Sequence, residues 1–385
     1  MSSKLVPKVR FKEFSGEWEE KKLEEIGKVS MCKRILKNQT NLKGYIPFYK
    51  IGTFGKKADS YISKELFEEY KSKYSYPKKG DILISASGTI GRLVIFDGSP
   101  AYFQDSNIVW IDNNEELVKN KFLYYYYKNI KWVTDDSTIS RLYNDNLKSI
   151  KILIPPTPEE QQKIADTFSS LDNLIEAQTK KVELLKSHKK GLMQKLFPRD
   201  GAKVPEVRFK EFSGEWEENI LGDFVSITTG KLDANAMIKD GKYRFYTCAK
   251  DYYYINDYAF DTEALLISGN GANVGYIHYY SGKFNAYQRT YVLNNFNINI
   301  QYIKYFLERN LTKRIEVDKK DGNTPYIVMS TLYDMCILLP SLTEQQKIAD
   351  TLSSLDNLIE AQTKKIELLK EHKKGLMQKM FVNKD

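Results

Sequence analysis

From Glu160 to Phe197 apolar residues recur in alternating steps of four and three. The register runs through Ile164, Phe168, Leu171, Ile175, Gln178, Val182, Leu185, Lys189, Leu192 and Leu196. It returns at Ile348, Leu352, Leu355, Ile359, Gln362, Ile366, Leu369, Lys373, Leu376 and Met380. A 3.5-residue period held over about five heptads predicts two long helices, each with a narrow seam suited to another helix. Gln178, Gln362, Lys189 and Lys373 interrupt the seam and are expected to fix its register. The two stretches, 160–197 and 344–381, agree at 34 of 38 positions. Each opens on a cap signal, Thr157-Pro158-Glu159-Glu160 or Ser341-Leu342-Thr343-Glu344, which reads as a capping box. Pro198 stops the first helix.

A shorter repeat precedes each helix. Val6–Glu20 and Val204–Glu218 agree at 14 of 15 positions. Between motif and helix lie two dissimilar middles that follow one order. In the first, Ile82–Ser85 and Arg92–Phe96 read as a hairpin around Ser87-Gly88-Thr89-Ile90-Gly91. Ile108–Ile111 predicts a strand, Leu117–Val133 a helix, and Leu147–Pro156 a last strand leading to the cap. In the second, Ala264–Ser268 and Tyr276–Tyr280 predict strands, Tyr302–Leu307 a helix, and Cys336–Leu339 the final strand. The reading is an α+β chain with a pseudo-two-fold internal repeat: residues 1–155 with motif 6–20, a long helix at 156–197, residues 198–340 with motif 204–218, and a second long helix at 341–385.

Charge separates the middles. Of the net +9, residues 21–155 carry 23 basic against 15 acidic side chains, whereas residues 219–341 carry 13 against 12. A basic first middle suggests a polyanionic partner. The three cysteines and three histidines do not cluster, so neither a metal site nor a disulfide framework is expected. No phosphate loop or nucleophile elbow is present, and the spacing of Gly269, Gly271 and Gly275 does not suit a dinucleotide fold. No acidic metal site of a stand-alone nuclease is visible. The chain reads as a binding protein rather than an enzyme. Without a signal peptide or an apolar run of spanning length, it is expected in the cytoplasm, away from membranes.

Pro155 or Pro340, Glu160-Gln161-Gln162-Lys163-Ile164-Ala165, Leu171-Asp172 and Gly191-Leu192-Met193-Gln194-Lys195-Leu196-Phe197, all used twice, resemble the specificity subunits of Type I restriction–modification systems. Gly80-Asp81-Ile82-Leu83 with Gly88-Thr89-Ile90-Gly91 is also similar. The resemblance implies two target recognition domains separated by helices that pair as an antiparallel coiled coil. It implies double-stranded DNA with a bipartite target, two modification (methyltransferase) subunits and restriction subunits as partners. It implies no cofactor in this chain: S-adenosylmethionine belongs to the modification subunit, ATP and Mg to the restriction subunit. The competing expectation is a scaffold that holds two binding modules for protein or glycan.

On the DNA reading, candidate contacts in the first domain are Lys33, Arg34, Lys50, Lys56, Lys57, Ser87, Thr89, Arg92, Gln104 and Arg141. In the second they are Lys231, Lys250, Asn270, Asn273, Gln288, Arg289, Arg314 and Lys320. Cations position a protein on phosphates, while Arg, Gln and Asn read base edges.

Overall fold

The computed structural model describes residues 5–130, 132, 142, 144–318 and 326–382. In chain order the elements are β1 (Glu19–Lys22), α1 (Leu23–Ile26), β2 (Gly27–Ser30), β3 (Ile46–Tyr49), β4 (Tyr61–Ile62), α2 (Lys64–Lys73), β5 (Ile82–Ser85), β6 (Leu93–Ile95), β7 (Tyr102–Phe103), β8 (Ile108–Asn113), α3 (Asn120–Asn129), α4 (Asn144–Ser149), β9 (Lys151–Ile154) and α5 (Pro158–Leu196). There follow β10 (Glu217–Ile220), β11 (Ser226–Thr229), β12 (Tyr243–Tyr246), β13 (Tyr253–Ile255), β14 (Phe260–Ser268), β15 (Ile277–Ala286), β16 (Thr290–Asn294), α6 (Ile300–Asp318), α7 (Met329–Tyr333), β17 (Cys336–Leu339) and α8 (Leu342–Met380). The chain divides into two compact units, Met1–Ala177 with Lys365–Asp385, and Gln178–Lys364. Both long helices are therefore shared between units.

In the first unit β2-β8-β5-β6 form one sheet and β4-β3-β7 another. Alternation along the shared strands feeds two cores. Ile82, Ile84, Val109 and Ile111 face α3 and the long helices, whereas Leu83, Ile108 and Trp110 face Phe48, Phe67 and Tyr102. In the second unit the corresponding strands merge into one six-stranded sheet, β11-β16-β14-β15-β12-β13. The difference has a local cause. Between β6 and β7 the chain turns at Asp97-Gly98-Ser99-Pro100, with the Ser99 amide donating to the Asp97 carboxylate (2.8 Å). Pro100 cannot donate to a ladder. The second unit has no proline there, and β15 runs unbroken for ten residues.

Each unit is finished by a helix end encoded in the other half of the sequence. In the first, Phe381 stacks on Phe168 (5.7 Å between centroids) and meets Trp18 edge-on. The amide of Val9 donates to the carbonyl of Lys379. In the second, Phe197 packs on Trp216 and Tyr302, and Val207 donates to Lys195. Within each unit the helix pair runs antiparallel: Ile164 and Phe168 share a core with Met380 and Phe381, and Asp172, one turn on, pairs with Lys373. In the second unit Ile348 and Leu352 share a core with Leu196 and Phe197, and Asp356 pairs with Lys189 (2.6 Å). All the seam residues are buried or half-buried: Ile164, Phe168, Leu171, Ile175, Val182, Leu185, Leu192, Ile348, Leu352, Leu355, Ile359, Ile366, Leu369 and Leu376.

Three local expectations change. The amides of Glu160 and Glu344 do donate to the capping hydroxyls of Thr157 and Ser341 (3.4 Å each). Their carboxylates, however, do not return to the caps, because Arg10 and Arg208 take them. Residues 147–149, expected as strand, belong to α4, and the ladder begins only at Lys151. The helix expected over 117–133 spans Asn120–Asn129, with Val133 outside the described residues. In that helix Tyr125, Tyr126 and Tyr127 are buried, and the Tyr126 hydroxyl accepts the Leu153 amide (2.9 Å).

Candidate nucleic-acid interface

In the first unit the segments beside β3, β4, β7 and β8 bring several polar residues to one cleft of about 820 Å³. Arg34, Lys50 and Gln104 line it, together with Lys37, Asn41, Asp59, Asp105 and Asn107. Arg34 pairs with Asp105 (2.9 Å) and its side chain stays 68% exposed, so the guanidinium is oriented without being spent. Lys50 pairs with Asp59 (2.9 Å). Gln104 is committed inward: its Oε1 accepts the Ile51 amide (2.9 Å).

Three further candidates also serve the fold. Ser87 is buried and donates to Asn107 Oδ1 (2.7 Å). The Thr89 carbonyl accepts the Ser85 hydroxyl (2.6 Å). Arg92 donates to the Phe54 carbonyl (2.9 Å), bracing the loop that carries the exposed Lys56 and Lys57. Lys33 is exposed and lies over the Tyr74 ring, 5.2 Å from its centroid.

In the second unit five loops converge at the matching end of the sheet. Leu232 bridges Tyr287, Gln288 N donates to the Leu232 carbonyl, and Gly269 N donates to the Arg289 carbonyl. Asn273 Nδ2 donates to the Cys248 carbonyl (3.1 Å), and Asn270 bridges Tyr326. Lys231, Lys250, Asn270, Asn273, Gln288 and Arg289 are thereby gathered from segments up to 58 positions apart in sequence. Lys231, Lys250, Gln288 and Arg289 are exposed there. Gly269 holds this junction close: a Cβ at that position would lie 2.4 Å from the Arg289 carbonyl oxygen. Arg314 stands apart on α6, paired with Asp318 (3.4 Å). Arg141 and Lys320 lie outside the described residues.

Several side chains at these sites carry no motif in the sequence. Lys37, in the segment after β2, and Asn107, in the loop between β7 and β8, also line the first cleft. In the second unit Tyr246 and His278 lie 5.1 Å apart on adjacent strands. Burial pushes the His278 pKa below its usual value, and its Nε2 lies 3.0 Å from the Ala249 carbonyl. Among the described residues no cluster of His, Cys, Asp and Glu could hold a metal ion, and no helix is long and apolar enough to cross a membrane.

Two versions of one α/β fold, each carrying a polar, cation-bearing loop end and each completed by paired long helices, define a two-domain recognition protein. The chain matches the family described as Type I restriction modification DNA specificity domain over residues 15–186 and 213–371, and it belongs to that family. It is 68% identical over 156 residues to a putative type I restriction enzyme specificity subunit of Haemophilus influenzae, covering 40% of each chain. It is 27% identical over 379 residues to a type I restriction enzyme specificity subunit of Methanocaldococcus jannaschii, covering 89% of this chain and 87% of that one. A solved S subunit of a Type-I restriction-modification system from M. genitalium superposes with a TM-score of 0.69 at 19% identity, covering 99% and 100% of the two chains. The matches span 40% and 34% of the length of the first two curated relatives, those of Haemophilus influenzae and Escherichia coli.

Proposed function

We propose that the chain is the non-catalytic, DNA-reading subunit of a Type I restriction–modification complex, each domain reading one half of a bipartite target. The observation that carries this is the convergence of Lys231, Lys250, Asn270, Asn273, Gln288 and Arg289 at one end of the second sheet, with Arg34 and Lys50 at the corresponding end of the first. Cations there would hold phosphates, and Asn, Gln and Arg would meet base edges. The family description supports DNA as the ligand.

On this reading the near-identical helices offer equivalent surfaces to two modification subunits, which supply the S-adenosylmethionine chemistry. Restriction subunits, with ATP and Mg, would act in the larger assembly. Half-sites read from one face of B-DNA lie about one turn, ~34 Å, apart, and 38 helical residues extend ~57 Å. The helices would then set the spacer between half-sites.

Methylation mapping in cells that express the chain with its modification partner tests this directly. A bipartite motif is expected, and removing one heptad from both helices should change its spacer. A gel shift of the complex at two salt concentrations distinguishes the scaffold reading, since DNA binding falls steeply with salt and a scaffold would show no such dependence.

A further inference from the structure

The second domain holds an arginine that no motif marks. Arg244 on β12 is in register with Tyr254 on β13 and Phe284 on β15. Its guanidinium carbon lies 4.2 Å from the ring centroid of Tyr252 and 4.5 Å from that of Tyr280. Its Nη1 donates to the Tyr246 hydroxyl (3.3 Å). Its Nε and Nη2 have no acceptor, and its charge no carboxylate partner, among the described residues. Arg10, Arg34, Arg199, Arg208 and Arg314 each pair with a carboxylate, and Arg92 is spent on a backbone carbonyl. Arg244 therefore combines a position held between two tyrosine rings with donors that no carboxylate takes.

Its place in the fold gives those donors a task. The Tyr246 carbonyl, two residues along β12, accepts the Tyr287 amide (2.9 Å) and the Thr290 hydroxyl (3.3 Å). Arg244 thus adjoins the loop that carries Gln288 and Arg289. The surrounding segment is close to neutral in charge, so little of its grip can come from general attraction to phosphate. A confined arginine also loses less side-chain freedom on binding, and its planar fork matches paired acceptors that lysine cannot span.

We propose that Arg244 is a base-reading residue of the second domain, its donor edge meeting the O6 and N7 acceptors of one guanine in the major groove. The proposal rests on the reading of the chain as a DNA specificity subunit. Methylation maps for the wild-type complex and for complexes carrying Arg244→Ala or Arg244→Lys test it. In both variants the preference for guanine should relax at one position of one half-site, by ~10- to 100-fold in discrimination, with the other half-site unaltered. A second arm uses wild-type protein and needs no variant: replacing that guanine by 7-deazaguanine, which lacks N7, should weaken binding by a similar factor. An unchanged motif, or binding indifferent to 7-deazaguanine at every guanine of that half-site, overturns the proposal. So does uniform weakening that Arg244→Lys restores, which would mark a phosphate contact. A wild-type complex that yields no bipartite motif overturns the DNA reading itself, and the role of Arg244 with it.

Discussion

Arg10 closes a two-pronged ion pair on Glu160, Nε to Oε1 at 2.8 Å and Nη2 to Oε2 at 2.7 Å, and the carboxylate side chain is fully buried. The same guanidinium donates to the carbonyls of Ser15 and Gly16. Arg208 repeats the arrangement on Glu344 at 2.9 and 2.8 Å. The short repeated motif is thus a clamp: it ties its own loop to the first turn of a long helix, while Val9 or Val207 ties it to the end of the other.

Removing the arginine leaves a buried carboxylate without its counter-charge. Arg10→Ala should destabilise the first unit by ~3–5 kcal/mol, and Arg208→Ala the second by as much. Arg10→Lys should recover little, because an ammonium cannot make the fork. Thermal melting combined with hydrogen exchange by segment checks both size and location. Equal loss of protection in both units from one substitution would refute the clamp as a local device.

Of the polar seam positions, Lys189 and Lys373 each pair with an aspartate on the other long helix. Lys189 bonds Asp356, whose other oxygen accepts the Tyr305 hydroxyl (2.7 Å), and Lys373, Asp172 and Tyr125 repeat the triad. Burial works against the Asp356 carboxylate, but the Lys189 and Tyr305 hydrogen bonds carry its pKa below the ordinary value. A double-mutant cycle with Lys189→Met and Asp356→Asn should give a coupling of ~1–3 kcal/mol. The coupling should fade only in acid below the usual carboxylate range, since the folded-state pKa is the lower one. Additive single effects would reject the pairing.

His278 predicts a second pH effect with a higher onset. Its pKa lies below the ordinary 6.5, burial outweighing the Ala249 carbonyl and Asp251, so the unfolded chain binds its proton more readily. Stability from this group is full above pH ~6.5 and falls as the pH drops through the folded-state value. Melting curves of His278→Gln between pH 5 and 8 should lose that component; an unchanged pH profile would show that His278 does not contribute it.

Fold and readout can be separated within the candidate contacts. Ser87→Ala breaks a buried bond to Asn107 and should lower stability by ~1–3 kcal/mol while the methylated motif stays the same. Arg289→Ala removes an exposed side chain with no acceptor among the described residues. It should leave melting unchanged and alter the motif. Mapped methylation and melting temperature, measured on both variants, decide the assignment; reversed effects would exchange the roles.

Much of this architecture is legible along the chain because its signals are local. A 3.5-residue period and a cap residue act within a few turns, so both long helices start where Thr157 and Ser341 place them. The strands at Ile82–Ser85 and Cys336–Leu339 announce themselves as apolar runs between turns. Duplication of the motif and helix makes the two-domain plan visible without coordinates. What the order of residues does not reveal depends on distance in sequence. Glu160 looks like half of a capping box, yet a stronger acceptor–donor match arrives from Arg10, 150 positions earlier. Phe381 and Phe197 look like helix ends but are core residues, because antiparallel pairing delivers each to the unit begun by the other half. Arg244 sits in an ordinary strand, and only the registry of β12, β13 and β15 places tyrosine rings against it. Local periodicity determined the elements. Pairing across the chain, where burial and charge are settled together, decided which side chains are spent on the fold and which remain for a ligand.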